Sequence, residues 1–106
     1  WFYVGNGIGY VPYANSDMGA TSDPVWSVAR VDLYANSAVK LDVPGNLWLQ
    51  QYQNSVTVDG QFNMILAPLG GEGFVYSFDV NSSASNAFTK GANVAASADS
   101  YYIGIY

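Results

Sequence analysis

WFYVGNGIGYVPY, residues 1–13, decides how the rest of this 106-residue chain is read. At the period of 2 that a strand imposes, Phe2, Val4, Asn6, Ile8 and Tyr10 share one face, and Gly5, Gly7 and Gly9 fall on the other. The segment reads as one strand with an apolar face and an almost bare one. So apolar a strand has two destinations: the sheet of its own domain, or a neighbouring subunit that it joins as an added strand. The glycine face would let another backbone approach closely, at some cost in strand propensity.

Working outward, residues 14–24 are rich in Asn, Ser, Asp and Gly and read as a polar loop. Residues 25–34 alternate again, with Val25, Ser27, Ala29, Val31 and Leu33 on a core face and Trp26, Val28, Arg30, Asp32 and Tyr34 on a mixed one. The cleanest alternation covers residues 39–43 and ends in the turn tripeptide Pro44, Gly45, Asn46. Residues 47–53 and 56–58 read as further strands. Asp59-Gly60 marks a tight hairpin into residues 61–66, which place Phe62, Met64 and Leu66 on one face. Residues 74–80 form another apolar face from Phe74, Tyr76, Phe78 and Val80, followed by a polar loop over 81–93, a weak strand at 94–98 and a last strand at 101–106.

The prolines at 12, 24, 44 and 68 fall at strand edges or in turns, where a missing N–H is tolerated. The expected fold is all-β, a single immunoglobulin-like or Greek-key β-sandwich of about eight strands, with a small jelly roll or barrel as the alternative. The division is an apolar strand at 1–13 that is a candidate donor strand, a loop at 14–24, and a sandwich body at 25–106. One domain suits the length, and a hydrophobic share of 50% with 16% aromatics supplies a core without disulfides or a metal.

Charge is sparse: Arg30, Lys40 and Lys90 are the three basic residues against eight acids, for a net charge of −5. Nucleic acid and anionic lipid, which need clustered cations, are excluded as partners. No apolar run approaches the roughly 20 residues of a membrane-spanning helix, so no membrane span is expected. A first residue Trp1 reads as a processed chain that has lost a targeting segment, and together with the scarcity of Lys and Glu it places the protein outside the cell or on its surface.

The chain has no His and no Cys, which removes the usual general base, the imidazole ligands and the thiolate nucleophile. Ser37 and Lys40 match Ser-x-x-Lys, yet an offset of three in a strand sends them to opposite faces. A glycosidase carboxylate pair would need Glu72 or two aspartates, and nothing in the sequence joins such a pair. Asp79, Asn81 and Ser83 open like a calcium loop, which fails at Ala84 and Lys90; an irregular site on Asp17 and Asp23 stays open. No catalytic residue, metal site or cofactor is expected.

Three surface features remain. Asn81-Ser82-Ser83 is an N-glycosylation sequon in a predicted loop. Trp48, Gln50 and Tyr52 share a strand face and are a candidate sugar-stacking platform, set against burial of that strand on both sides through Leu47 and Leu49. In the last strand, Tyr102, Ile103, Ile105 and Tyr106 cover both faces with apolar groups, which suits contact with another layer or subunit.

An apolar terminal strand attached to a cysteine-free sandwich resembles the secreted filament subunits of bacteria and archaea that assemble by donor-strand complementation. The resemblance rests on residues 1–13 and on the general pattern of residues 25–106. It implies a non-enzymatic structural subunit whose partners are copies of itself, with Phe2, Val4, Ile8 and Tyr10 as the assembly strand. A secreted carbohydrate-binding or adhesive module, with glycans as partners, is the alternative.

Overall fold

The computed structural model describes residues 1–47, 55–66 and 73–94. They form two four-stranded antiparallel sheets, the β-sandwich expected of the sequence, with no α-helix among the described residues. The first sheet runs β1 (Phe2–Gly5), β2 (Ile8–Ala14), β3 (Trp26–Asp32) and β4 (Ser37–Lys40); the second runs β5 (Ser55–Val58), β6 (Gln61–Leu66), β7 (Gly73–Asp79) and β8 (Phe88–Val94). Each described sheet is a meander of sequence neighbours, with no Greek-key crossing among these strands.

Residues 1–13 are not one strand. Asn6 at φ 53° and Gly7 at φ 76° form the turn of a hairpin, and β1 folds back on β2 with Phe2 opposite Tyr10 and Tyr3 opposite Gly9. Asn-Gly accepts the two left-handed conformations that match strand twist, so local turn chemistry overrides the longer alternation. A bulge between Tyr3 and Gly5 keeps Phe2 and Val4 on the same side as Ile8 and Tyr10 despite the reversal. Pro12 lies past the end of β1, where β2 has only β3 as a neighbour.

The polar loop after β2 holds one 3-10 turn, Ser16–Met18, capped by Asn15 Oδ1 accepting from the Asp17 N–H at 3.1 Å. In β3 the faces are the reverse of those expected. Register with β2 sets Arg30 opposite Tyr10 and Val28 opposite Pro12, so Trp26, Val28 and Arg30 point into the sandwich. The more apolar row of Ala29 and Val31 lies on the outer side, opposite Val11 and Gly9.

Regular pairing of β4 stops at Lys40, earlier than the alternation through 43 suggests, and the chain crosses toward the second sheet. There Leu41 and Val43 are buried, the Asp42 N–H donates to Ser85 O at 2.9 Å, and Leu47 makes a bridge to Trp26. The β5–β6 hairpin turns at Asp59 and Gly60, with φ 48° and 76°, as read from the sequence. Strand β8 lies inside the stretch expected to be loop, because pairing with β7 supplies main-chain hydrogen bonds to residues of low intrinsic strand preference. Of the weak strand expected at 94–98, Val94 closes β8 and the rest lies outside the described residues.

The core joins both sheets. Tyr10 stacks on Phe62 with ring centroids 4.4 Å apart and planes 11° apart, and Phe2, Phe78 and Phe88 extend the aromatic cluster. Met64, Leu66, Val28 and Leu47 fill the remainder. Burial of each such side chain contributes roughly 1.5 to 3 kcal/mol as an upper estimate.

Candidate functional site

Phe2, Val4, Ile8 and Tyr10, expected to fill a groove, fill one that their own chain provides. Ile8 and Tyr10 are buried, and Phe2 and Val4 pack half-buried against the same core. What the hairpin presents outward is a set of aromatic side chains over glycines. Trp1 and Tyr3 stack at 6.1 Å between centroids, and both are more than half exposed, at 56% and 57%.

At Gly7 and Gly9 the glycine face is therefore covered, and by this chain's own rings, while Gly5 stays open. A Cβ on Gly9 would meet the Trp1 indole at 2.5 Å, and one on Gly7 would meet the Tyr34 ring at 2.8 Å. Tyr3 accepts the Gly7 N–H at its hydroxyl at 3.2 Å, and the Leu33 N–H donates to Gly7 O at 2.9 Å. Asp32 Oδ1 accepts from the Tyr34 and Ala35 N–H groups, which fixes the β3–β4 turn that carries Leu33 and Tyr34. Trp1, Tyr3 and Tyr34 thus lie exposed over Gly7 and Gly9, and Leu33 is exposed in the same β3–β4 turn as Tyr34.

Among the described residues, strand β1 pairs only with β2 and stands at the edge of its sheet, and none of its four residues is charged or proline. Native edges are ordinarily blunted by such residues, as Lys40 does on β4 and Lys90 on β8; the Tyr3/Gly5 bulge is the one such device on β1. The exposed rings and the edge meet at Tyr3. Sequence reasoning found the apolar side chains of this hairpin and missed Trp1, Tyr3, Leu33 and Tyr34; the signal that reveals them is the Asn-Gly turn, which places Tyr3 across from Gly9.

Beneath the hairpin lies a buried polar cluster. Arg30, 6% exposed, donates from one guanidinium nitrogen to Val80 O at 2.9 Å and so ties the first sheet to the chain leaving β7. Among the described residues its Nε and the Tyr10 hydroxyl make no hydrogen bond of regular geometry, although the Arg30 guanidinium lies beside that hydroxyl. Burial pushes the Tyr10 phenol up to about 12; the Arg30 guanidinium opposes this rise and the Asp79 carboxylate adds to it.

The other sequence candidates are dispersed. Ser37 and Lys40 lie on β4, Ser37 opposite Asp32 and Lys40 opposite Ala29, on opposite faces as their offset dictates. Asp23 Oδ2 accepts from the Ala20 N–H, and no group of three or more metal-ligating side chains occurs among the described residues. Asn81 is exposed in the turn after β7, where its N–H donates to Asp79 Oδ1. Trp48, Gln50 and Tyr52, together with Glu72 and the terminal Tyr102, Ile103, Ile105 and Tyr106, lie outside the described residues. No helix among the described residues is long and apolar enough to cross a membrane. Comparison with protein-family models, with curated proteins and with solved structures finds no match.

Proposed function

We propose that this protein is a non-enzymatic structural subunit of the cell exterior that self-associates through its N-terminal hairpin. The observation that carries the reading is the coincidence, at β1, of an uncharged strand at the edge of its sheet among the described residues with an exposed Trp1–Tyr3 pair. An open edge offers main-chain hydrogen bonds to an added strand, and the aromatic pair beside it offers apolar area that association removes from water.

Strand β2 is an unsuitable donor to a neighbour, because it pairs on both sides and withdrawing it would expose Ile8 and Tyr10. Assembly therefore uses β1 in place as an edge, rather than a segment that leaves its own sandwich. The low charge favours close approach of copies, since few ionic side chains need desolvation at a contact.

Light scattering behind size-exclusion chromatography, with negative-stain micrographs of the same fractions, tests the reading. The native chain is expected to form oligomers or filaments whose size grows with concentration. Tyr3→Lys, which puts a charge on an exposed edge position, is expected to remain folded and monomeric. A native chain that is monomeric at every concentration, or a variant that assembles equally well, would contradict it.

A further inference from the structure

On the outer face of the second sheet, away from the hairpin, we propose a binding site for a neutral sugar. A cup of about 420 Å³ opens between β6, β7, β8 and the loop that joins the last two. Its volume lies within the usual range for small-ligand sites. Cross-strand register builds its floor: Gln61 stands opposite Asp79, and one row along Ser77 stands opposite Thr89. Strands sit about 4.8 Å apart and same-face rows about 7 Å apart, so these side chains form a small lattice of hydrogen-bonding groups on the scale of one pyranose ring.

The chemistry of the lattice selects the ligand class. Gln61 and Asn86 supply amides, Ser77 and Thr89 hydroxyls, and Asp79 a carboxylate, a mixture that can both donate to and accept from hydroxyl groups. The Phe88 ring turns inward onto Phe78 and Tyr76, so the apolar part of the wall comes from Ala84 and Ala87 and the recognition is carried by hydrogen bonds. No Lys or Arg lines the cup, so a phosphate or carboxylate ligand would meet only the negative charge of Asp79. A single carboxylate is likewise too little for a calcium ion.

The cup is also held in shape, which lowers the ordering cost of binding. Asp79 Oδ1 is fixed by the Asn81 N–H at 2.9 Å, while Oδ2 has no donor among the described residues. The Ser77 hydroxyl donates to Asn63 Oδ1, which leaves its lone pairs directed for acceptance. Across the loop, the Ser85 hydroxyl donates to Asp42 Oδ2 at 2.7 Å and Ser85 O accepts the Asp42 N–H, pinning the loop wall to the chain after β4. The Asp79 N–H bonds to Ala87 O at the base of the loop.

The site is tested by two-dimensional amide NMR of the full chain, titrated with methyl mannoside, methyl galactoside and N-acetylglucosamine, each to about 50 mM, a range that registers millimolar dissociation constants. Glucose 6-phosphate and calcium chloride serve as controls. At least one neutral sugar is expected to give saturable shifts at residues 61, 77, 79, 86, 87 and 89. Gln61→Ala and Asp79→Asn are expected to weaken that binding at least tenfold, with the remaining signals unmoved. If Asp79→Asn disturbs the loop, Gln61→Ala decides alone once its unfolding midpoint matches that of the native chain, since Gln61 is half-buried at the start of β6 and outside the buried core. Absence of saturable shifts at these residues with all three sugars, preference for the phosphorylated sugar or for calcium, or unchanged affinity in Gln61→Ala would overturn the assignment.

Discussion

Tyr10 shows how one side chain carries both the strength and a weakness of the core. Its ring is stacked between sheets, yet its hydroxyl is buried without a regular hydrogen bond among the described residues, and burial pushes its pKa up to about 12 from an ordinary 10.0. A raised phenol pKa means that the unfolded chain gives up this proton first as pH rises, so stability is fully present below pH 10 and falls between about pH 10 and 12. Chemical denaturation across that range is expected to show the decline in the native chain and a flatter profile in Tyr10→Phe. At neutral pH the same variant should lie within about 1 kcal/mol of the native chain, because among the described residues the lost hydroxyl makes no hydrogen bond of regular geometry. The inward side of Tyr10 was legible from its parity with Phe2 and Val4. The burial of Arg30 was not, since a charged residue in an alternating strand reads as solvent-facing until the register with β2 puts it opposite Tyr10. The glycines divide similarly: Gly9 has room limited only by an exposed indole, whereas Gly7 combines φ 76° with the Tyr34 ring. Gly9→Ala is therefore expected to shift the Trp1 indole signal in NMR with a stability loss under about 1 kcal/mol, and Gly7→Ala to cost about 1 to 2 kcal/mol in denaturation.

At the scale of elements, two hairpins share the same turn chemistry and were read differently. Asp59-Gly60 separates two clearly alternating runs and was legible at once. Asn6-Gly7 sits within an alternation so regular that it continues through the turn, and the bulge at Tyr3/Gly5 restores the parity that a reversal would break. Period-2 patterning registers which residues share a face and is blind to a reversal that preserves it. Strand β8 escaped for the opposite reason, since Thr89, Lys90, Gly91, Ala92 and Asn93 carry little propensity and are held by pairing with β7. The cup on the second sheet was illegible as well, because Gln61, Asp79, Ser77 and Thr89 come from three strands and only register unites them. The β1–β2 hairpin is the element on which the fold and the proposed assembly would both depend. Asn6→Pro, which is incompatible with φ 53°, is expected to unlatch β1, lower the melting temperature and abolish assembly together.

For the whole molecule, the sandwich of two four-stranded sheets supplies two outward faces with different chemistry: an aromatic, uncharged one around the first hairpin and a polar, cupped one on the second sheet. Such a division suits a subunit that contacts its own copies on one side and leaves the other free. The question raised by Phe2, Val4, Ile8 and Tyr10 is answered by their own core, and it passes to the edge of β1 that no described strand pairs. Residue-resolved hydrogen–deuterium exchange, compared between dilute and concentrated protein, measures that edge directly. Assembly through β1 predicts that amides at residues 2–5 gain protection with concentration while those of Ile8–Ala14 stay as slow as they are in dilute solution; unchanged exchange at 2–5 in assembled material, or loss of protection across Ile8–Ala14, would contradict it.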